Sequence, residues 1–439
     1  MASQKVYFIG IGGIGVSSLA QYYLAQGWQV SGSDAVRSEI TDDLKKKGVK
    51  IFIGQKAKNI KSPDLVIYSA AIRPENPEFS EAKAKGYPLQ SYAQAVGELT
   101  KKYFTVAVCG SHGKSTTTAL IGLILKEAGL DPTIIIGTKL SELSTREGRS
   151  FSSGNNFRMG GSKYLVLEAD EYARSFHNYF PKITIVTNID KEHLDIYKNL
   201  NGVVAGFKRF FKNISKDGYL VANEGDINIK KTLNPRPKTL VAKIIWYGKG
   251  KHKLSIPGIH NQFNAEAAWQ VVKLLGVRKS IADKVFRSYQ GAWRRMEKLN
   301  IKNKISKIRS IIYTDYAHHP TEIKATLQAL KEKHPQKKIV CVFQPHQQDR
   351  LNRLFKEFTT AFNLADKTIL YPLYKVKGRD SNGKTSADLV KAINNPDVFY
   401  ADDFKKVLKL IQPDLKSDNV IVFMSAGDLD AKARKHFIA

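Results

Sequence analysis

The sequence predicts an α/β protein of three successive units with mostly parallel sheets. Three observations predict it. Apolar, β-branched runs alternate with amphipathic stretches along almost the whole chain, the pattern of strands joined by crossover helices. Two glycine-rich turns, at 10–15 and 110–115, each follow a strand-like run and precede a helix-like one. The length of 439 residues corresponds to about three domains at roughly 150 residues each.

Taken in order, Lys5–Ile9 reads as a strand, 14–26 as a helix and 29–33 as a second strand. A Ser-Pro turn leads into a strand at 65–69. Phe104–Cys109 is a strand, 116–128 a helix ended by Gly129, and Tyr164–Glu168 and 183–188 are strands. Further strands follow at 311–314, 339–343, 368–371 and 420–424. One boundary falls near 100, because Phe104 opens the strand that leads to the second glycine-rich turn. Another falls near 291–296, beyond which the chain restarts with a basic segment and new strand-helix pairs. The expected domains are therefore 1–100, 101–292 and 293–439.

Hydrophobic residues make up 42% and charged residues 25% of the chain, which supplies several cores and excludes a mostly disordered protein. No apolar run approaches the ~18 residues of a membrane span. The N-terminus enters a strand and a turn rather than a signal peptide, so a cytoplasmic protein without membrane insertion is expected. Cys109 and Cys341, the two cysteines, sit in apolar runs and read as reduced core residues; their number excludes a disulfide scaffold or a thiolate zinc site. A net charge of +30 favours anionic partners. The basic clusters at 45–47, 249–253 and 302–309 lie far apart without interleaved aromatics, so a solvated lysine-rich surface is expected and no specific nucleic acid.

The first turn, Gly10-Ile-Gly12-Gly13-Ile-Gly15, satisfies G-x-G-x-x-G, and Asp34 ends the next strand where a ribose-binding acid would stand. Alone it fits a structural tight turn, a nicotinamide cofactor or another diphosphate nucleotide. The second, Gly110-Ser111-His112-Gly113-Lys114-Ser115-Thr116, ends as a phosphate-binding loop does: backbone amides cradle phosphate, Lys114 reaches the outer phosphoryl oxygens and Ser115 can ligate Mg²⁺. Val108 stands where a full-length loop of this type carries its first glycine, so the loop is a shortened variant binding ATP. The two loops together fit an enzyme that joins a nucleotide-activated substrate to something else at the expense of ATP. Glu168, Asp170 and Glu171 follow one strand, and Asp190, Glu192, His193 and Asp195 follow another, where open α/β sheets build their sites. Such acids suit Mg²⁺ but also cap helices.

These runs together resemble the Mur ligase family of cell-wall peptide ligases, over nearly the whole chain and in order. The resemblance rests on the two loops, Ser69-Ala-Ala-Ile72, Asn156-Phe-Arg158, Glu168-Ala-Asp-Glu171, Thr187-Asn-Ile-Asp190, His193-Leu-Asp195, His260-Asn261-Gln-Phe-Asn264, Asp315-Tyr-Ala-His318-His319-Pro320-Thr-Glu322 and Phe343-Gln-Pro-His346. His-His-Pro-Thr-Glu points to the alanine-adding branch, and Leu194 favours it over the branch that recycles a preformed peptide. The resemblance implies a Rossmann-like N-terminal domain for the UDP-sugar, a central P-loop ATPase domain with a mostly parallel sheet, and a C-terminal Rossmann-like α/β domain for the amino acid. It implies ATP and Mg²⁺ as cofactors, UDP-N-acetylmuramate and L-alanine as substrates, and a monomer or homodimer.

By the same resemblance, Lys114 neutralises the transferring phosphoryl group, and Ser115, Glu168 and His193 hold Mg²⁺. Asn261 and Asn264 contact adenine, and Arg295 (or Arg294) and Asp315 serve ATP. His318, His346 and Arg350 attend the amino acid, with Lys114, Glu168, His193 and His318 as the catalytic set. Gly10, Gly12, Gly13, Gly15, Asp34 and Ser69 line the UDP end. One departure bears on the substrate: Gln347 stands after Pro345-His346, where many members carry arginine. A nicotinamide oxidoreductase leaves Gly110–Ser115 and His260–Asn264 unexplained, and a nucleic-acid-stimulated ATPase lacks a supporting basic tract.

Overall fold

The computed structural model describes residues 3–143, 154–237, 240–301, 308–375 and 382–438; most of the basic cluster at 302–309 lies outside them. Three α/β sheets are present, as the sequence predicts. The first contains β1 (Lys5–Ile9), β2 (Gln29–Asp34), β3 (Lys50–Ile53), β4 (Leu65–Tyr68) and β5 (Leu89–Ser91), all parallel in the order β3-β2-β1-β4-β5. The second contains β6 (Phe104–Cys109), β7 (Thr133–Leu140), β8 (Asn155–Arg158), β9 (Tyr164–Glu168), β10 (Ile183–Val186), β11 (Tyr219–Asn223) and β12 (Lys243–Tyr247). Its order is β12-β11-β10-β6-β9-β7-β8, parallel except for β8. The third contains β13 (Glu297–Lys298), β14 (Ile311–Asp315), β15 (Ile339–Gln344), β16 (Lys367–Leu370), β17 (Val398–Tyr400) and β18 (Val420–Ser425) in the order β13-β14-β18-β15-β16-β17, with β13 antiparallel.

The central strands are buried on both faces, which is why they read as continuous apolar runs. Residues 6–9, 105–109 and 420–425 are buried throughout. Cys109 and Cys341 are free thiols in these cores. No helix among the described residues is long and apolar enough to cross a membrane. Exposed lysines, among them Lys45, Lys46, Lys249 and Lys251, account for the solvated basic surface.

The chain divides into two compact units. One comprises Met1–Glu192, Ile196–Lys253 and Phe263–Arg287, and so holds the first two sheets; the other comprises His193–Asp195, Leu254–Gln262 and Ser288–Ala439 and holds the third. Inside the first unit, helix Ile14–Ala25 is fastened to β8 by polar side chains. Gln21 Nε2 donates to Asn156 Oδ1 (2.8 Å), and Asn156 Nδ2 donates to Ile14 O (2.6 Å) and Ser17 Oγ (2.9 Å). Lys139 of β7, its side chain 5% exposed, pairs with Glu39 (3.3 Å) and Asp43 (3.2 Å) of helix Glu39–Lys46. The lysine is covered but its partners, 53% and 38% exposed, face solvent, so salt still screens these pairs in part.

Gly32 shows how tightly the first sheet is packed. A Cβ there would lie 2.6 Å from Phe8 O and 2.9 Å from the Ile11 side chain. Gly32→Ala is therefore expected to destabilise the first unit by about 1–3 kcal/mol through overpacking. Urea denaturation checks this, and an unchanged midpoint would contradict the packing described.

Candidate active site

All three sheets bring their chemistry to the carboxyl ends of parallel strands. In the first, the order reverses between β1 and β4, and there the glycine-rich turn meets Ser69. Gly10 takes a φ of +82°, a Cβ on it would lie 3.0 Å from Ser69 Cβ, and its N–H donates to Ser33 O (2.9 Å). Gly12 N–H donates to Asp34 Oδ2 (2.8 Å), so the acid expected at a ribose also shapes the loop. A Cβ on Gly15 would sit 2.9 Å from the Tyr92 hydroxyl. Gly13 is the N-cap of helix Ile14–Ala25.

The second glycine-rich loop connects β6 to helix Lys114–Glu127, two residues earlier than the periodicity predicts. Residues 187–190, after β10, brace it. Asn188 Oδ1 accepts from His112 N–H (2.8 Å), Asn188 Nδ2 and Thr187 Oγ1 donate to His112 O (2.9 and 2.6 Å), and Asp190 N–H donates to Ser111 Oγ (2.8 Å). Gly110 has φ +132°, and a Cβ on it would fall 2.0 Å from Thr187 Oγ1; Gly113 has φ +84°, and a Cβ would fall 2.5 Å from Asn264 Oδ1. At Gly110 the backbone nitrogens of Thr187 (3.0 Å) and Asn188 (3.1 Å) also crowd a Cβ, so no side chain fits, whereas at Gly113 a Cβ is strained by the positive φ and displaces the Asn264 amide. Asn264 thus packs against the loop, where Thr117 Oγ1 also donates to it (3.3 Å).

Ser115 Oγ donates to Glu168 Oε1 (3.0 Å), and Gly137 N–H donates to Glu168 Oε2 (2.8 Å). Lys114 Nζ donates to Gly110 O (2.7 Å), Ser111 O (3.3 Å) and both oxygens of Glu171 (2.9 and 3.2 Å). Burial alone would lower the Lys114 pKa, but Glu171, Asp170 and Glu168 outweigh it and raise it, so the side chain is a fixed cation. Three carboxylates around one ammonium leave an excess of negative charge. With the Ser115 hydroxyl they form a hard-oxygen donor set that suits Mg²⁺. The sequence marks Glu171 only as one of three acids after a strand; its pairing with Lys114 bridges distant segments and carries no sequence signal.

In the second unit, the alternatives Arg294 and Arg295 separate. Arg294 is 9% exposed; it donates to the carbonyls of Ser425 and Gly427 and pairs with Asp430 (3.4 Å). Arg434 reinforces this knot through Glu297 and Asp430. Both guanidinium groups lie over the Tyr316 ring (4.9 and 5.0 Å), but Arg295 is the more exposed and sits 3.9 Å from Glu322. Asp315 is 4% exposed and accepts from the N–H groups of Met296 and Ala317 (both 2.7 Å); burial raises its pKa despite Arg295. It braces the segment that carries Arg295.

His318 and His346 come together, ring centroids 6.1 Å apart. His318 Nδ1 lies 3.2 Å from Glu322, and Arg350 donates to His346 O (3.1 Å). Tyr316 and Tyr374 extend the cluster, Tyr374 stacked on His346 at 5.5 Å. Tyr316 and Glu322 were visible within the quoted motif; Tyr374 was not, because it lies 28 positions beyond His346. His319 takes another part: it caps helix Pro320–Lys333 in a capping box with Glu322. Gln347 has φ +67°. Asn261, one turn before Asn264 on helix Ile259–Leu274, donates to Pro257 O (2.6 Å), and burial pushes neighbouring His260 down to about 4. His193 adopts φ +53°.

Family models match the chain in three consecutive stretches: the "Mur ligase family, catalytic domain" over 5–104, the "Mur ligase middle domain" over 108–274 and the "Mur ligase, glutamate ligase domain" over 294–427. The chain is 36% identical to the UDP-N-acetylmuramate–L-alanine ligase of Caldanaerobacter subterraneus subsp. tengcongensis, covering 97% of this chain and 95% of that protein. It is 37% identical to the ligase of the same name from Clostridium tetani, over 97% and 96%. Among solved structures it is similar to the UDP-N-acetylmuramate-alanine ligase MurC of Thermotoga maritima, with TM-score 0.79 and 26% identity over 98% and 97% of the two chains. A murein peptide ligase of Psychrobacter arcticus shares the fold, with TM-score 0.70 and 22% identity over 99% and 98%.

Two expectations follow from this geometry. Gly110→Ala forces the loop off residues 187–190 and is expected to weaken binding of a fluorescent ATP analogue at least about tenfold, the loss of one strong contact or more. The two arginines are expected to part company. Arg294→Ala breaks a buried ion pair and lowers stability by about 3 kcal/mol. Arg295→Ala changes stability by less than about 1 kcal/mol but impairs ATP turnover. Urea unfolding and steady-state assays of both variants check this.

Proposed function

The chain belongs to the Mur ligase family, and from that premise we propose that it joins L-alanine to the lactyl carboxylate of UDP-N-acetylmuramate at the expense of ATP. End-to-end similarity to ligases of that name, 36% identity over 97% of this chain, carries the reading. The intact loop with its Ser115–Glu168 pair supports it.

A carboxylate is a poor electrophile, so the first task is to activate it as an acyl phosphate. Lys114 is the cation that stabilises the charge moving onto the transferred phosphoryl group. Ser115, Glu168 and His193 are the residues to hold Mg²⁺, which supplies charge neutralisation on the phosphates when bound. Gly110, Ser111, His112, Gly113 and Thr116 cradle the phosphates, and Asn261 and Asn264 contact adenine. Arg295 serves ATP, and Asp315 keeps its segment in place. The carboxylate oxygen takes the terminal phosphoryl group and ADP is the leaving group; the free amine of alanine then attacks the acyl carbon, and the tetrahedral adduct expels phosphate and loses the amine proton to solvent, leaving the amide. His318, His346 and Arg350 hold the amino acid, and Gly10, Gly12, Gly13, Gly15, Asp34 and Ser69 the UDP end.

The test is ADP release by purified protein with ATP, Mg²⁺ and UDP-N-acetylmuramate, adding L-alanine, glycine, L-serine or a tripeptide separately. Release that needs both the sugar nucleotide and L-alanine is expected. Release with the tripeptide alone would move the chain to the recycling branch, and none with any acceptor would refute the substrate.

A further inference from the structure

Lys114 is the cation the loop offers to a phosphoryl group, yet the protein itself engages all three of its N–H donors. An ammonium has three hydrogens and no more. Its partners are Gly110 O, Ser111 O and the Glu171 carboxylate. The Lys114 side chain is 13% exposed and that of Glu171 is fully buried. Glu171 is also held from behind: its carbonyl accepts from the Tyr197 hydroxyl (2.7 Å) and from Arg174 N–H (3.0 Å). Ala173 and Arg174, which follow, both take left-handed φ values of +51° and +58°. Two consecutive non-glycine residues persist there only where the surroundings impose that conformation. Here they turn the chain away immediately after Glu171 and leave its carboxylate on Lys114.

A phosphate oxygen can bond Lys114 only if one of the three partners gives way. The carboxylate is the partner that carries charge, and it also repels an incoming anion. We propose that Glu171 is a positioning residue that competes with the terminal phosphate of ATP for Lys114, so that nucleotide affinity is set by exchanging one anionic partner of the lysine for another. Only a ligand with enough negative charge displaces a buried carboxylate, which disfavours weakly charged anions in the loop. This inference rests on the ATP-ligase reading.

The test uses the full chain and a fluorescent ribose-labelled ATP in Mg²⁺-free buffer with EDTA, so that any effect on metal binding is silent. Glu171→Gln keeps the shape and removes the charge, and is expected to bind the probe about tenfold more tightly than the parent protein, the equivalent of one charge-assisted hydrogen bond. Glu171→Asp draws the carboxylate back by one methylene and is expected to bind two- to threefold more tightly. In the ADP-release assay Glu171→Gln is expected to lower both KM for ATP and kcat, because Lys114 is easier to reach but less well aimed. A merely structural glutamate predicts a lower melting temperature without tighter binding. Unchanged or weaker binding by folded Glu171→Gln overturns the proposal; if that variant does not fold, unchanged or weaker binding by Glu171→Asp does so. Should the parent bind the probe only with Mg²⁺ restored, the same comparison of variants is read there, with the same outcomes; failure of the parent to bind the probe in either buffer would overturn the ligase reading, and this inference with it.

Discussion

The register between β6 and its neighbours is the constraint on which the site depends. Val108 pairs with Glu168 across β6 and β9, and Cys109 pairs with Val186 across β6 and β10. Because both partners run parallel to β6, all three strands end at one level. The loop that follows β6, the acid that ends β9 and the residues after β10 must then meet. A slip of one residue would turn Glu168 to the other face and leave Ser115 without its carboxylate. The buried β-branched runs therefore fix the positions of polar groups that they never touch.

Electrostatics makes this site one-sided. One lysine stands among Glu168, Asp170 and Glu171, so the loop that receives a polyanion is itself rich in negative charge. That arrangement suits a reaction in which a divalent cation accompanies the nucleotide and offsets the charge of both. It also explains why Lys114 stays charged though largely buried. The second unit works differently: Arg294, Arg434, Glu297 and Asp430 balance one another inside the fold, while the adjacent, more exposed Arg295 is set beside Glu322.

Much of the fold was legible because central strands of parallel sheets are apolar on both faces. Lys5–Ile9, Phe104–Cys109 and Tyr164–Glu168 were read with the ends they have. The edge strands Lys50–Ile53, Leu89–Ser91 and Lys243–Tyr247 were not, since half-exposed short strands mix polar and apolar residues as loops do. At the site, contiguous runs were legible: the loop 110–116 and the Asp315–Glu322 segment announce themselves. Pairings between segments were not. Nothing local joins Lys114 to Glu171, His112 to Asn188 or His346 to Tyr374. Arg294 and Arg295 are adjacent and chemically identical, so only burial tells them apart.

The polar fastening of helix Ile14–Ala25 and helix Glu39–Lys46 to β7 and β8 has a consequence for ligand length. Asn156, Gln21, Lys139 and Asp43 tie the two halves of the first unit together, so the turn at Gly10–Gly15 and the turn at Gly110–Ser115 belong to one compact unit. The span between the two turns is thereby set within that unit. On the proposed reading the UDP end and the phosphates of ATP belong to different turns, so the separation of the turns sets how long the sugar nucleotide must be for its carboxylate to meet the phosphoryl group.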